Sequence, residues 1–250
     1  MARVRERSPL PDGTTQIGLG LVVNGITTYG FLVVARRALG DETYGGLAVL
    51  WGLVYILGPG LFQPLEQEVA RATANRASRG LGSAPVLHQA AKIGAVGFAI
   101  VSAGILVAWP LGLNGLLDNH PGLLIALIAA LAAFGAAELV RGVLSGRHRF
   151  RRYGAYFATE GTSRLVLALI FAAIGIATVG AYAAAIGAAF VVAALVGVGI
   201  RRPFVNPGPP APISELRPAL GLLLATSLSE AFLLNVGPVA LEVVGKDLGA

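Results

Sequence analysis

The sequence predicts an all-α, polytopic membrane protein with about seven transmembrane helices. Three observations indicate this class. First, 55% of the 250 residues are hydrophobic and only 13% are charged, whereas soluble domains carry about 25% charged residues. Second, stretches of about 20 apolar residues, enough to cross the hydrocarbon core of a bilayer, recur along the chain. Third, arginine and lysine concentrate in alternate loops between those stretches, which is the pattern of membrane topology.

The first four predicted spans are visible as stretches without charge. They are Gln16 to Ala35, Gly45 to Leu65, Ile93 to Leu117 and Pro121 to Ala137. We expect the fourth helix to continue past Glu138 and Arg141.

The fifth and sixth spans share one apolar stretch, Leu165 to Ile200, which is free of charge. As a single helix it would be about 54 Å long, too long for a hydrocarbon core of roughly 30 Å. We therefore expect a break at Gly175 to Gly180. The fifth span then begins near Tyr156 and carries Glu160 and Arg164 in its cytoplasmic half. The seventh span is expected from about Pro218 to Leu241.

The basic residues set the orientation. One set of loops carries Arg3, Arg5, Arg7, Arg71, Arg76, Arg79, Lys92, Arg147, Arg149, Arg151, Arg152, Arg201, Arg202 and Arg217. The opposite set carries Arg36, Arg37 and Lys246. The remaining two, Arg141 and Arg164, are placed at cytoplasmic ends of spans. By the positive-inside rule the protein is multi-pass, with a cytoplasmic N-terminus and an extracytoplasmic C-terminus.

Two acid–base pairs are candidates for a functional site. Glu138 and Arg141 are spaced i, i+3, and Glu160 and Arg164 are spaced i, i+4, so each pair lies on one helix face. Ionisable groups at membrane depth are costly and therefore point to function. Either the pairs neutralise themselves near the cytoplasmic interface, or they belong to a cavity or gate.

The end of the second span is polar. Gln63 and Gln67 share a helix face with Arg71, and Glu68 can reach Arg71. This pattern fits a helix that emerges among lipid headgroups. It also fits a cytoplasmic gate that contacts a substrate headgroup.

Two polar residues lie deep in other spans. Glu230 is about twelve residues into the seventh span and is expected to face the protein interior or water, where it would couple an ion (H⁺ or Na⁺), contact substrate or hold a structural hydrogen bond. Asn24, at a similar depth in the first span, suits an interhelical hydrogen bond or a substrate contact.

Small residues recur at every fourth position of the sixth span. They are Ala181, Ala185, Ala189, Ala193 and Gly197. Small residues let helices approach closely in lipid, so this stripe predicts a helix–helix seam, with a narrow pore lining as the alternative.

Several classes of function are excluded or disfavoured. The chain has no cysteine and three histidines far apart in sequence, so no metal site is expected. It carries no nucleotide-binding loop and no GxSxG or HExxH motif, so no catalytic residues and no cofactor are expected, and we do not expect an enzyme. The basic charge follows membrane topology and does not indicate a nucleic-acid partner.

A weak internal repeat suggests the domain organisation. Leu39-Gly40 follows the first span and Leu248-Gly249 follows the seventh, and both spans run outward. This predicts a parallel repeat, one common transporter plan. The predicted units are a six-helix N-terminal lobe at 1–202, a Pro-rich cytoplasmic linker at 203–217, and the first helix of an incomplete second lobe at 218–250. The chain is thus expected to be the N-terminal half of a longer transporter.

Two stretches resemble a known family. The first stretch is Ala35 to Arg71, ARRALGDETYGGLAVLWGLVYILGPGLFQPLEQEVAR, and it contains an LG-x-x-x-YG link between the first two spans. The second stretch is Arg141 to Leu169, RGVLSGRHRFRRYGAYFATEGTSRLVLAL, and it contains a basic loop between the fourth and fifth spans. Both are similar to the oligosaccharide or polysaccharide flippases (polysaccharide biosynthesis proteins) of the multidrug/oligosaccharidyl-lipid/polysaccharide exporter superfamily.

The resemblance implies a transporter of the bacterial inner (cell) membrane. It would flip lipid-linked oligosaccharide for surface polysaccharide or lipopolysaccharide biosynthesis, by alternating access between two six-helix lobes. Membrane lipid and a glycan polymerase or glycosyltransferase are the expected partners. The alternatives are a multidrug or cation antiporter of the same superfamily and a non-transporting scaffold of a glycan assembly complex.

Overall fold

The computed structural model describes residues 13–199, 203–216, 221–230, 232–234 and 236. Its helices are α1 (Thr14–Ser78), α2 (Ala84–Ala108), α3 (Asn114–Leu116), α4 (Pro121–Gly146), α5 (Phe150–Ala173) and α6 (Val179–Val198), with a π-helical turn at Trp109–Leu113 and a 3₁₀ turn at Ile213–Glu215. No strand occurs among these residues. The predicted all-α class is therefore confirmed.

Four of the described helices are long and apolar enough to cross a membrane. They are Thr14–Ser78, Ala84–Leu116, Pro121–Gly146 and Val179–Val198. These helices are those of a membrane protein; the count of seven spans and the orientation stay predictions. The N-terminal basic cluster, residues 200–202, residues 217–220, positions 231 and 235, and residues 237–250 lie outside the described residues, so the seventh predicted span is described only in part.

Helix α1 is a hairpin of two limbs, residues 14–39 and 41–78. A straight helix of 65 residues would be about 98 Å long. Gly40 has φ 74° and ψ 164°, a conformation that is essentially restricted to glycine. The rings of Phe31 and Trp51 lie 5.8 Å apart, so the chain reverses at Gly40. The predicted first and second spans are these two limbs.

Helices α2 and α3 form one kinked rod at the edge of the bundle. The π-helical turn joins them around Pro110, which has no backbone N–H to donate, and Gly112, which has φ 128°. In α2 only Val86, Ala90 and Ile105 are buried. This rod therefore contributes little to the core.

The apolar stretch 165–200 is broken as predicted. Helix α5 ends at Ala173 and α6 begins at Val179, with Gly175 at φ 76° between them. The start of the fifth helix was predicted too late. It begins at Phe150 rather than near Tyr156, because Arg151 and Arg152 lie in its first turn instead of in a loop.

The core lies between α1, α4, α5 and α6. Phe31, Leu127, Tyr182 and Phe190 are fully or almost fully buried within it. The predicted seam of α6 is confirmed for its four C-terminal members, which are buried: Ala185, Ala189, Ala193 and Gly197.

Residues 203–216, named here the strap, run along the ends of α1, α2 and α4. The Arg147 guanidinium donates to the Phe204 carbonyl over 2.7 Å, and the Ala84 N–H donates to the Asn206 carbonyl over 3.0 Å. Leu216 is fully buried. After the strap, helical residues 221–230 pack on the second limb of α1, where Leu228 lies against Gly60.

Candidate functional site

A cavity of about 370 Å³ lies between the two limbs of α1, α4 and α5. It is lined by Leu21, Asn24, Gly25, Thr28, Trp51, Tyr55, Pro59, Gln63, Phe134, Glu138, Arg141, Phe157 and Glu160. Leu21 and Gly25 are exposed, so the cavity opens beside the first limb. Its volume is within the range of small-molecule sites.

A cluster around Arg141 closes one side of the cavity. The Arg141 guanidinium pairs with Glu138 on its own helix, and its Nη2 lies 3.0 Å from Glu66 Oε2 on α1. The Tyr153 hydroxyl on α5 donates to Glu66 Oε1 over 2.9 Å. The guanidinium also lies 4.8 Å from the centre of the Phe157 ring. The cluster therefore joins α1, α4 and α5 through charged hydrogen bonds.

A second cluster surrounds Arg164, which is fully buried. Its Nη2 lies 2.7 Å from Glu160 Oε1, and its Nη1 donates to Thr28 Oγ1 over 3.3 Å. The guanidinium carbon is 4.9 Å from the centre of the Trp51 ring and 5.7 Å from that of Phe190. Aromatic faces attract such a cation, most strongly where water is excluded.

Arg164 is the fifteenth of the 24 residues of α5 and so lies well inside that helix. Its place at the cytoplasmic end of the fifth span stays a prediction. Both acid–base pairs that the spacing predicted do form, and both belong to one cavity wall.

Gly161 in α5 allows the first limb of α1 to bring Asn24 to the cavity. A Cβ atom on Gly161 would lie 2.2 Å from Thr27 Oγ1 and 2.5 Å from Asn24 Oδ1. A side chain at this position would therefore force the first limb of α1 away. The resulting close approach lets Thr28 donate to Asn24 Oδ1 over 3.2 Å while it accepts from Arg164.

The structure separates the other predicted residues. Gln63 lines the cavity, but Gln67 is exposed and Arg71 lies farther along α1, paired with Glu68 over 2.7 Å. Arg71 also donates to the Glu215 carbonyl in the strap. Glu230 is exposed on helical residues 221–230. It does not face the interior of the described bundle, so it does not join the cavity.

Several cavity residues were not singled out from the sequence. Trp51, Tyr55 and Pro59 precede Gln63 at intervals of four, and all four line the cavity. Such a stripe marks one helix face, and it could have been found by extending the predicted polar face toward Trp51. Glu66 was not singled out as a candidate either, although it contacts Arg141.

The cavity wall carries more acidic than basic groups. Glu138, Arg141 and Glu160 line it, while Glu66 and Arg164 stand behind them in ion pairs. Three carboxylates thus face two guanidiniums. Among the described residues no group of three or more His, Cys, Asp or Glu side chains could hold a metal ion.

The chain has relatives among mycobacterial proteins. It is 26% identical over 241 residues to uncharacterized proteins of Mycobacterium tuberculosis and Mycobacterium bovis, an alignment that covers 94% of this chain and 55% of each relative. The chain thus spans about half the length of these curated relatives. No family model matches the chain, and no solved structure matches it.

Proposed function

We propose that this chain forms a lobe of a transporter that flips lipid-linked oligosaccharide across the bacterial inner membrane by alternating access. The observation that carries the proposal is the cavity, in which aromatic rings and hydrogen-bonding groups stand together inside an apolar helical bundle. A glycan needs such a polar compartment, because its hydroxyl groups would lose their hydrogen bonds in lipid.

The stretches that carry the family resemblance also build this cavity. Ala35 to Arg71 supplies the hairpin bend at Gly40 and the stripe that runs from Trp51 to Gln63. Arg141 to Leu169 supplies Arg141, Phe157 and Glu160, with Arg164 behind them. Residues from both stretches therefore line one cavity, which supports a shared transport role.

The remaining features of the proposal follow from topology and length. The chain spans the membrane seven times, from a cytoplasmic N-terminus, and its first six spans form one lobe. The length of the mycobacterial relatives supports a second lobe. The second lobe would close the cavity on the side of Leu21 and Gly25. A glycan polymerase or glycosyltransferase would supply or consume the substrate.

One observation favours a second candidate, a cation antiporter driven by H⁺ or Na⁺. The wall of the cavity holds three carboxylates against two guanidiniums, and its aromatic lining suits an organic cation. A third candidate is a scaffold of a glycan assembly complex, whose role does not require a ligand to bind in the cavity.

Reconstitution into liposomes separates these candidates. The chain is tested alone and joined to any sequence that follows it, with a fluorescent lipid-diphosphate-oligosaccharide as substrate. We expect translocation that Glu160→Gln reduces and Glu68→Gln leaves unchanged, because Glu68 lies outside the cavity. If folded protein moves none of several glycan substrates but exchanges a cationic dye against protons or Na⁺, the antiporter replaces the flippase. If the folded protein shows neither activity, the scaffold is the candidate that remains.

A further inference from the structure

The charges of the cavity bear on which part of a lipid-linked glycan it can hold. Such a substrate combines a sugar with a diphosphate, and these two parts require opposite environments. A diphosphate needs unshared cationic donors, whereas a neutral sugar needs apolar ring faces and uncharged hydrogen-bonding groups. The side chains that line the cavity determine which of these two parts can bind there.

The cationic groups of the wall are already held by carboxylates. Arg141 contacts both Glu138 and Glu66, and Arg164 contacts Glu160. Glu138 and Glu160 lie on the cavity side together with Arg141, so the lining itself has two acidic groups and one basic group. A diphosphate placed there would stand beside two carboxylates in a medium of low dielectric constant, where like charges repel strongly.

The uncharged part of the lining suits a sugar. Trp51 and Tyr55 both line the cavity, with their ring centres 4.5 Å apart, and their C–H edges can pack against the apolar C–H groups of a pyranose ring. The side chain of Gln63 makes no hydrogen bond to any described residue and is only partly buried. Its amide therefore offers both donor and acceptor capacity to a ligand.

We infer that this cavity receives the glycan part of the substrate as a neutral or amino-bearing saccharide and excludes the diphosphate and acidic sugars. The inference rests on the proposed function and narrows its substrate class. It departs from the cationic cavity that a diphosphate-binding flippase needs. The diphosphate then stays outside this pocket during transport.

Trp51 fluorescence measures the selectivity directly. The chain has two tryptophans, Trp51 and Trp109, so Trp109→Phe leaves a single reporter in the cavity wall. The full chain in detergent is titrated with four probes: an N-acetylglucosamine trisaccharide, a glucosamine trisaccharide, a galacturonate trisaccharide and inorganic diphosphate. We expect saturable changes with the first two, at least tenfold weaker binding of galacturonate, and no response to diphosphate.

Two substitutions should reduce the expected selectivity. Glu138→Gln and Glu160→Gln each remove an acidic group from the lining, so binding of the galacturonate probe should increase about tenfold. Glu68→Gln is the matched control, since Glu68 is buried and paired with Arg71 outside the cavity. If these variants fail to fold, the comparison of the four probes on the wild-type cavity still tests the inference.

The outcomes distinguish this inference from the proposed function. Diphosphate or galacturonate binding as tight as that of the neutral probe, or no saccharide response at all, overturns the inference. Translocation of acidic and neutral lipid-linked glycans at equal rates overturns it too, while the flippase proposal survives. Selective saccharide binding by protein that translocates no lipid-linked glycan removes the flippase proposal instead.

Discussion

Arg76 and Glu215, 139 positions apart in sequence, form a bidentate ion pair. Nε of Arg76 lies 2.8 Å from Glu215 Oε2, and Nη2 lies 3.0 Å from Oε1. The other three N–H groups donate to the carbonyls of Gly82, Pro209 and Pro210. All five donors of this nearly buried guanidinium are thus used, and one side chain fastens the strap to the helical bundle.

Replacing Arg76 by lysine should release the strap. Lysine keeps the charge but loses the planar fork, so it cannot reach both oxygens of Glu215 and three carbonyls together. We expect a loss of about 2–3 kcal/mol in stability and faster proteolytic cleavage within 203–216. Arg79→Lys is the matched control, since Arg79 is exposed nearby. Equal cleavage rates in the two variants would contradict the fastening role.

The same ion pair predicts a dependence on pH. Hydrogen bonds from Arg76 hold the pKa of Glu215 below its usual value, because they favour the carboxylate. The resulting stability is fully present above the ordinary pKa of glutamate, about 4.3, and is lost as pH falls through the lowered value. The difference in thermal stability between wild type and Glu215→Gln in detergent should therefore be largest near pH 7 and shrink as the pH falls toward 3. A constant difference across this range would argue against the linkage.

Arg164 should be more costly to remove alone than together with its partner. Arg164→Met leaves the carboxylate of Glu160 buried and uncompensated, which costs about 3–5 kcal/mol. The double variant Arg164→Met with Glu160→Gln should recover part of this loss. Thermal stability in detergent measures both. Arg36→Met, which breaks an exposed pair with Asp41, should cause no measurable change. A double variant less stable than Arg164→Met would refute the argument.

Gly40→Ala should destabilise the α1 hairpin although no atom crowds the position. The cost is conformational, about 1–3 kcal/mol, since φ 74° with ψ 164° is open essentially only to glycine. Gly97→Ala in α2 is the matched control, because that glycine is helical and equally uncrowded. Alanine there should be neutral or slightly stabilising. Unfolding midpoints of the two variants provide the comparison, and a similar effect of both would rule out the strained bend.

The sequence was sufficient for features that depend on local spacing. Glu138 with Arg141 and Glu160 with Arg164 could be paired because residues three and four apart meet on a helix. The break at Gly175 followed from the limit that bilayer thickness sets on helix length. In each case the deciding information lay within one continuous stretch of sequence.

Features that depend on tertiary contact escaped prediction. The contact between Glu66 and Arg141 joins two helices, and nothing in either segment marks the partner. The aromatic surroundings of Arg164 come from Trp51 and Phe190, which lie on other helices. The strap was predicted as a linker from its proline content, but its attachment through Arg76 needs the folded arrangement.

Gln63 and Gln67 give the sharpest test of the cavity, because sequence placed both on one helix face while the structure separates them. Gln63 lines the cavity, and Gln67 is exposed. Gln63→Leu removes an uncharged hydrogen-bonding group worth about 0.5–1.5 kcal/mol, so the affinity for the neutral trisaccharide should fall roughly two- to tenfold. Gln67→Leu should leave it unchanged. If Gln67→Leu weakens binding as much as Gln63→Leu, the saccharide binds along the polar face toward Arg71 rather than in the cavity.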